Sequence, residues 1–363
     1  WIILKILIAL IQNHRWIRLE TLASQLPSFA KFESRRRALQ RFLSLKILKF
    51  ETLWFPIIRE WVESNFEDNE ILYLTIDRTQ WSTVNLLVVS LIRRRRALPI
   101  YITNLGKKGN SSFTEQQEVL SKVIPLFPNY KKVVLGDREF CSMELAKWLN
   151  EQKKTYFCLR MKKSLYIEIE NQVWTTLKEL EIKPGISVYL RGIKVTKSHG
   201  FGEGSIIAKW KRKYRGLATE EAWFVLTNLL DLEQALTAYQ KRMGIEEMFR
   251  DFKTGGYNLE GTQVKGERLI SLTLLITFAY CQSIIFGEKI VRKGVANYVN
   301  CPTEKPRKYR RQCLLYTVNR GGAWLNSLEI FAEEVEQLMA NSPRHRLNYQ
   351  QGKRAARLVK SAF

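Results

Sequence analysis

Apolar side chains fall at helical spacing over the first part of the chain. Trp1 to Ile11 is apolar apart from Lys5, Leu19, Leu22, Ala23 and Leu26 share a face that Pro27 closes, and Leu39, Phe42 and Leu43 share another within 33–43. Helices are therefore expected up to about residue 65. The pattern then changes. Ile71–Asp77, Val84–Ile92 and Ala97–Thr103 are rich in Ile, Leu, Val and Tyr and are separated by short polar turns, which predicts an antiparallel meander. Glu115–Phe127 reads as a helix, Lys132–Asp137 as a fourth strand, Ser142–Asn150 as a helix and Thr155–Met161 as a fifth strand. Between 162 and 225, segments such as Ile186–Leu190 and Ile206–Trp210, with turn signals at Pro184-Gly185 and Gly200–Gly204, predict a β-rich insertion.

Beyond the strand-like Trp223–Thr227, one helix is expected from Asp231, where Asp231 and Gln234 resemble a capping box, to Gly255-Gly256. Leu269–Phe286 has the length of a marginal membrane span but contains Ser, Thr and Gln, so a buried helix is expected. Leu328, Phe331, Val335, Leu338 and Met339 mark one amphipathic helix, and the basic tail from Arg344 to Lys360 is expected to lack fixed structure.

Within the helix after Asp231, Tyr239, Arg242, Glu246 and Lys253 fall within an arc of roughly 60° at about 100° per residue. Ile245, Met248, Phe249 and Phe252 form a buried stripe beside them. Two readings stand. One is a surface helix whose Glu246 pairs with Arg242 or Arg250, one turn away on either side. The other is a site, because two strand-like segments upstream each end in a carboxylate, Asp77 and Asp137.

The charge balance adds an expectation about partners. Lys plus Arg number 59 against 35 Asp plus Glu, a net charge of +24, so a polyanion, first of all nucleic acid, is the expected partner. Arg35, Arg36, Arg37 and Arg41 lie off the apolar face of their helix, available to solvent or to phosphate. The run Lys209–Arg215 interleaves cations with Trp210 and Tyr214, which suits a single-strand or phosphate contact as well as an exposed hairpin. A second basic run is Lys305–Arg311. Five cysteines without C-x-x-C spacing suit a reduced, cytoplasmic compartment, and three scattered histidines make a zinc site a poor fit. A metal would be held by carboxylates, which favours Mg²⁺ or Mn²⁺. Trp1–Ile11 lacks a cationic leader and a small-residue cleavage site, so a core helix is expected there and no membrane partner.

Tyr239-x2-Arg242-x3-Glu246-x6-Lys253 resembles the Tyr-Arg-Glu-Lys signature of bacterial insertion-sequence transposases of the DDE superfamily. Ile76-Asp77-Arg78-Thr79 and Gly136-Asp137-Arg138-Glu139-Phe140 resemble the surroundings of that superfamily's first and second aspartates. The resemblance implies an α/β fold: a ribonuclease-H-like mixed five-stranded sheet with flanking helices, interrupted by a β-rich insertion, plus helical N- and C-terminal regions. The matching division is a basic DNA-binding region over 1–65, a catalytic domain over 66–161 and 226–290, the insertion at 162–225, and a basic helical region over 291–363 with a possible dimerisation face.

It further implies cut-and-paste transposition by metal-dependent strand cleavage and strand transfer. Asp77 would bridge two Mg²⁺ ions, with Asp137 on one and Glu246 on the other, and Mn²⁺ would substitute. Tyr239, Arg242 and Lys253 would hold phosphates near the cut, and Trp223 would stack on a flipped base. Arg35, Arg36, Arg37 and Arg41 would contact the element end. The partners would be double-stranded DNA and a second copy in a synaptic homodimer on the bacterial nucleoid, with no small-molecule substrate. An inactive DNA-binding remnant and a ribonuclease-H-like nuclease or resolvase are the alternatives.

Overall fold

The structure, a computed structural model, describes residues 1–14, 17–170, 173–196, 201–210, 222–300 and 314–363. Helices α1 (Ile2–Asn13), α2 (Leu19–Gln25), α3 (Phe32–Leu43) and α4 (Phe55–Asn65) open the chain. Strands β1 (Ile71–Trp81), β2 (Val84–Arg93) and β3 (Arg96–Asn104), helix α5 (Phe113–Val123), strand β4 (Lys131–Gly136), helix α6 (Met143–Glu151) and strand β5 (Thr155–Arg160) follow. Next come β6 (Tyr166–Glu170), β7 (Val173–Thr176), β8 (Ser187–Val195), β9 (Phe201–Lys209) and β10 (Trp223–Thr227). The remaining helices are α7 (Leu232–Lys241), α8 (Met243–Phe252), α9 (Gly266–Arg292), α10 (Ala296–Val299), α11 (Leu314–Ile330), α12 (Ala332–Ala340) and α13 (Arg346–Lys360). Two units divide the chain, Lys46–Phe249 and Trp1–Leu45 with Arg250–Phe363.

The unit Lys46–Phe249 is built on one ten-stranded sheet in the order β3-β2-β1-β4-β5-β10-β9-β8-β6-β7. Its first half, with β1–β3 antiparallel and β1, β4 and β5 parallel, is the ribonuclease-H-like arrangement. The expected five strands are all present, but the sheet does not stop at them. β10 pairs antiparallel with β5 on one side and with β9 on the other, so the strands of the insertion continue the sheet. The unbroken apolar run Phe224–Leu226 suits a strand buried on both faces. Helix α7 lies in the cluster formed by Val133, Leu135, Cys158, Ile207 and Val225, through Ala235, Leu236 and Tyr239.

Local signals set the helix starts. Ser112 accepts from the Glu115 backbone N–H while Glu115 accepts in return from the Ser112 N–H at 2.6 Å, a complete capping box for α5. Ser112→Ala is expected to lower stability by about 1 kcal/mol in urea titrations, and an unchanged midpoint would refute the capping role. Asp231 accepts from the Gln234 backbone N–H at 2.6 Å at the start of α7.

The single helix expected from Asp231 to the Gly pair is in fact two, α7 and α8, separated at Arg242. Arg242 and Ile245 donate their N–H groups three residues back, to Tyr239 and Arg242, which tightens the turn between them. Gly255 and Gly256 follow α8 because side chains there would collide with the helix end: a Cβ would lie 2.7 Å from the Arg250 carbonyl oxygen and 2.0 Å from that of Asp251.

In the unit formed by Trp1–Leu45 and Arg250–Phe363, α9 is the central element, packed by α1, α3 and α11. It is long and apolar enough to cross a membrane by length and composition, and 78% of its most apolar window is buried inside the protein. Leu4, Leu7 and Ile11 of α1 are buried, as are Leu19, Leu22 and Ala23 of α2 and Leu39 and Leu43 of α3. Two expectations for the C-terminal region need correction. The amphipathic segment around Phe331 is two helices, α11 and α12, broken at that residue. The basic tail is the helix α13, held because Ala355, Val359 and Ala362 bury themselves against Ile290, Val295 and Val318.

Candidate active site

β1 and β4 run parallel with Thr75 opposite Leu135 as the last pair of their register. Asp77 and Asp137 each stand two residues further on, so neighbouring strands deliver both carboxyls to the same end of the sheet. β1 continues past Asp77 because β2 still pairs with it, Asp77 standing opposite Val88. β4 stops instead. A Cβ on Gly136 would approach Phe140 Cβ to 2.8 Å, and the chain turns there, with the Asp137 carboxylate accepting from the Glu139 N–H at 2.9 Å and the Asp137 carbonyl from Phe140 N–H at 3.1 Å.

Arg242 joins the third carboxylate to this pair. Its Nη1 donates to Asp77 Oδ2 at 3.0 Å and its Nη2 to Glu246 Oε1 at 2.6 Å. The break between α7 and α8 coincides with this residue. Asp77 is 14% exposed and Glu246 48% exposed, so the bridge runs from the interior toward solvent.

Burial pushes the Asp77 carboxyl up to about 7, and the Asp137 and Glu246 carboxylates push the same way. The Arg242 guanidinium and the Arg78 N–H oppose the shift without cancelling it. Burial also works against the charge of Arg242, but Tyr239, Asp77, Glu246 and Asp137 outweigh it and hold its pKa above the usual value. One guanidinium thus faces three carboxyls, of which Asp77 lies toward the interior and Glu246 is half-exposed.

Tyr239 is 3% exposed and packs edge-on against Trp223, with ring centroids 5.4 Å apart. Burial raises the pKa of its phenol, and the Arg242 charge beside it opposes the rise. Trp223, Tyr239, Arg242, Glu246, Asp77 and Asp137 all belong to the unit Lys46–Phe249. Lys253, paired with Glu260 at 2.9 Å, belongs to the other unit, as do the arginines of α3. There Arg36 and Arg37 bond to Glu33, Arg35 Nη1 donates to the Ser28 carbonyl at 3.2 Å, and Arg41 is exposed in the last turn. Glu247 reaches Arg96 at 3.8 Å instead of the carboxylate group. Residues 211–215 of the cation and aromatic run, and the basic run 305–311, lie outside the described residues.

Sequence reasoning missed the clamp that ties β1 just after Asp77 to the turn after Asp137. Arg78 Nε donates to both Glu139 oxygens, at 2.9 and 3.0 Å, while Nη1 donates to Gln80 and Asn85 and Nη2 to Asn110. Glu139 also accepts from the N–H and hydroxyl of Ser111, both at 2.9 Å. The signal was present: an arginine directly after one aspartate and a glutamate two residues after the other. Arg160 at the end of β5 was also missed. Burial and the nearby Arg138 and Arg242 lower its pKa.

Among the described residues, no three His, Cys, Asp or Glu side chains converge as a ready-made metal cage. The transposase DDE domain family matches residues 102–281, a stretch that begins after Asp77 and takes in Asp137 and Glu246. No protein with a curated description matches the sequence. Among solved structures, the chain is similar to a piggyBac transposase in a synaptic complex with hairpin DNA, at 11% identity over 85% of this chain and 77% of that one. The TM-score of 0.39 makes that likeness too distant to assign residues by. From the family match over β4, α7, α8 and the strands between them, the chain belongs to the DDE transposases, enzymes that cleave DNA and transfer its strands.

Proposed function

We propose that this enzyme is a cut-and-paste transposase of a bacterial insertion sequence and that Asp77, Asp137 and Glu246 are its catalytic carboxylates. The observation that carries the assignment is the Arg242 bridge. It links Asp77 to Glu246, residues far apart in sequence, beside the end of β4 where Asp137 also emerges. A pairing of Glu246 with Arg242 alone would be an ordinary helix-surface bridge. The same guanidinium reaching a buried aspartate on β1 is not.

DDE transposases generally use divalent metal ions, and the donor chemistry here fits one. Three carboxylates supply hard oxygen ligands, and Mg²⁺ keeps several waters while taking only one or two carboxylates from the protein, so no closed cage is required. Asp77, Asp137 and Glu246 would hold Mg²⁺, with Mn²⁺ as a substitute, and the bound ions would supply charge stabilisation for the attacking and leaving oxygens.

The residues around them have their own tasks. Arg242, a planar fork with a raised pKa, remains charged and can exchange a carboxylate for a phosphate as its bidentate partner. Tyr239 and Trp223 form an aromatic wall beside it, where Trp223, half-buried, can stack on an unpaired base. Lys253 and the α3 residues Arg35, Arg36, Arg37 and Arg41 would contact the phosphates of the element end. The partner is double-stranded DNA held in a synaptic homodimer on the nucleoid in the cytoplasm.

The test is cleavage of a DNA fragment carrying the gene's own flanks, resolved on a denaturing gel. Cuts at two discrete flanking positions are expected in Mg²⁺, with Glu246→Gln slower by a factor on the order of 10³ or more and gel-shift binding retained. Equal cutting by both proteins would remove Glu246 from the site. Binding without cutting by either would leave a DNA-binding remnant, and scattered cuts would indicate a nuclease.

A further inference from the structure

The proposed carboxylates account for one side of α8. Glu246 also lines a groove of about 480 Å³, whose other walls include Arg94, Arg95, Lys241 and Glu247. A second groove of about 250 Å³ shares Arg94 and Lys241 with it and continues toward Arg93 and Tyr73. We infer that the Arg93–Arg96 turn between β2 and β3, with Lys241 opposite, is a docking track for the phosphodiester backbone of DNA, aligned so that the bound strand leads to Glu246. The inference rests on the transposase reading and adds a surface to it.

Three observations support the inference. First, the turn is fixed to the helix that carries Glu246. A Cβ on Gly244 would lie 3.3 Å from the Arg95 carbonyl oxygen and 3.3 Å from the Arg96 carbonyl carbon, so the absence of a side chain lets turn and helix meet at the backbone. Arg96 reaches Glu247 at 3.8 Å and the Ser90 hydroxyl lies 3.5 Å from Met248 Sδ, which extends the same joint. The backbone of the turn is therefore seated against the helix that carries Glu246.

Second, the turn places charge where relaxed backbone chemistry would choose otherwise. Arg94 has φ +55°, a left-handed conformation that Gly or Asn adopts at lower cost in a hairpin turn. Four consecutive arginines occupy the place, with Arg94 and Arg95 exposed. Third, the cations are divided between two grooves that share Arg94 and Lys241. Arg93 lies over the Trp61 ring at 4.7 Å and Lys241 over the Tyr73 ring at 4.6 Å, cation–π contacts that orient both side chains. Two grooves sharing Arg94 and Lys241 suit an extended polyanion better than an isolated phosphate. A negative charge every few ångströms along a DNA strand is the matching ligand.

The experiment is fluorescence anisotropy of two labelled duplexes, one with the gene's flanks and one of unrelated sequence, over a KCl series. The proteins are the full chain and its Arg94→Ala/Arg95→Ala, Arg94→Lys/Arg95→Lys and Lys241→Ala variants, each checked for fold by circular dichroism. The alanine pair should flatten the plot of log affinity against log salt by roughly 0.9 for each phosphate that is no longer neutralised. Its affinity at low salt should fall on the order of tenfold. The lysine pair should restore most of the slope, since point charges also neutralise phosphate.

Weaker binding to both duplexes would assign the track to any DNA, target included, whereas weaker binding to the flank duplex alone would assign it to the element end. A folded alanine pair with unchanged slope and affinity on both, beside a wild-type protein that binds, would overturn the inference and leave the transposase reading standing. A wild-type protein that binds neither duplex would overturn both.

Discussion

Asp77→Asn is expected to abolish DNA cleavage and, above neutral pH, to make the protein more stable. The folded state holds the Asp77 pKa near 7 against 3.8 for the free side chain, chiefly through burial. The folded protein therefore keeps a proton that the unfolded chain has already released. This group's contribution to stability is fully present below about pH 4 and is lost as pH rises through 7. A gap of about three pKa units corresponds to a ceiling on the order of 4 kcal/mol.

Asparagine cannot ionise, so it avoids that loss, but it also gives up the ion pair with Arg242 at 3.0 Å. A net gain of about 1–2 kcal/mol at pH 8, vanishing near pH 5, is the expected balance. Urea titrations at the two pH values measure it. A mutant less stable than the parent at pH 8 would show that the Arg242 pair outweighs desolvation. The same cost gives a metal its leverage. Mg²⁺ at pH 8 should raise the melting temperature of the parent more than that of the mutant, because ligand binding to the folded state adds stability by mass action.

Arg78→Ala is the second large effect. Arg78 is 16% exposed and Glu139 14% exposed, and removal of the guanidinium leaves the carboxylate with Ser111 as its described donor. Breaking a partly buried pair by deleting one partner costs about 3–5 kcal/mol. Cleavage should fall as well, because the clamp fixes the turn that aims Asp137. Replacing both residues with Arg78→Met and Glu139→Leu should cost well below the sum of the single replacements, a coupling of about 2 kcal/mol in a double-mutant cycle. Additive costs would show that the two side chains act independently.

The strands of the first half of the sheet were legible because each is a short apolar run bounded by polar turns, whereas their ribonuclease-H-like arrangement came from the resemblance and the pairing of β4 with β1 from the structure. The second half of the sheet was not. Trp223–Thr227 reads the same whether it has one neighbour or two, and its pairing with both β5 and β9 is a long-range event without a local mark. The spacing of Arg242 and Glu246 was readable as one helical turn. That a tight turn at Arg242 would coincide with a reach to β1 was hidden, because an unbroken 3.6-residue period fits the same letters. In α13, Ala355 and Val359 are four residues apart, a helical interval masked by the surrounding basic residues.

The ten-stranded sheet also sets a rule for dissection. Cutting out residues 162–222 would remove a stretch that resembles a module in the sequence, yet it would strip β9 from β10 and open a five-residue row of backbone groups beside buried Phe224 and Leu226. An open apolar edge of that kind invites pairing between molecules. Such a shortened enzyme would be expected to self-associate before its chemistry could be measured, so any trimming should begin at the β6–β7 edge and work inward.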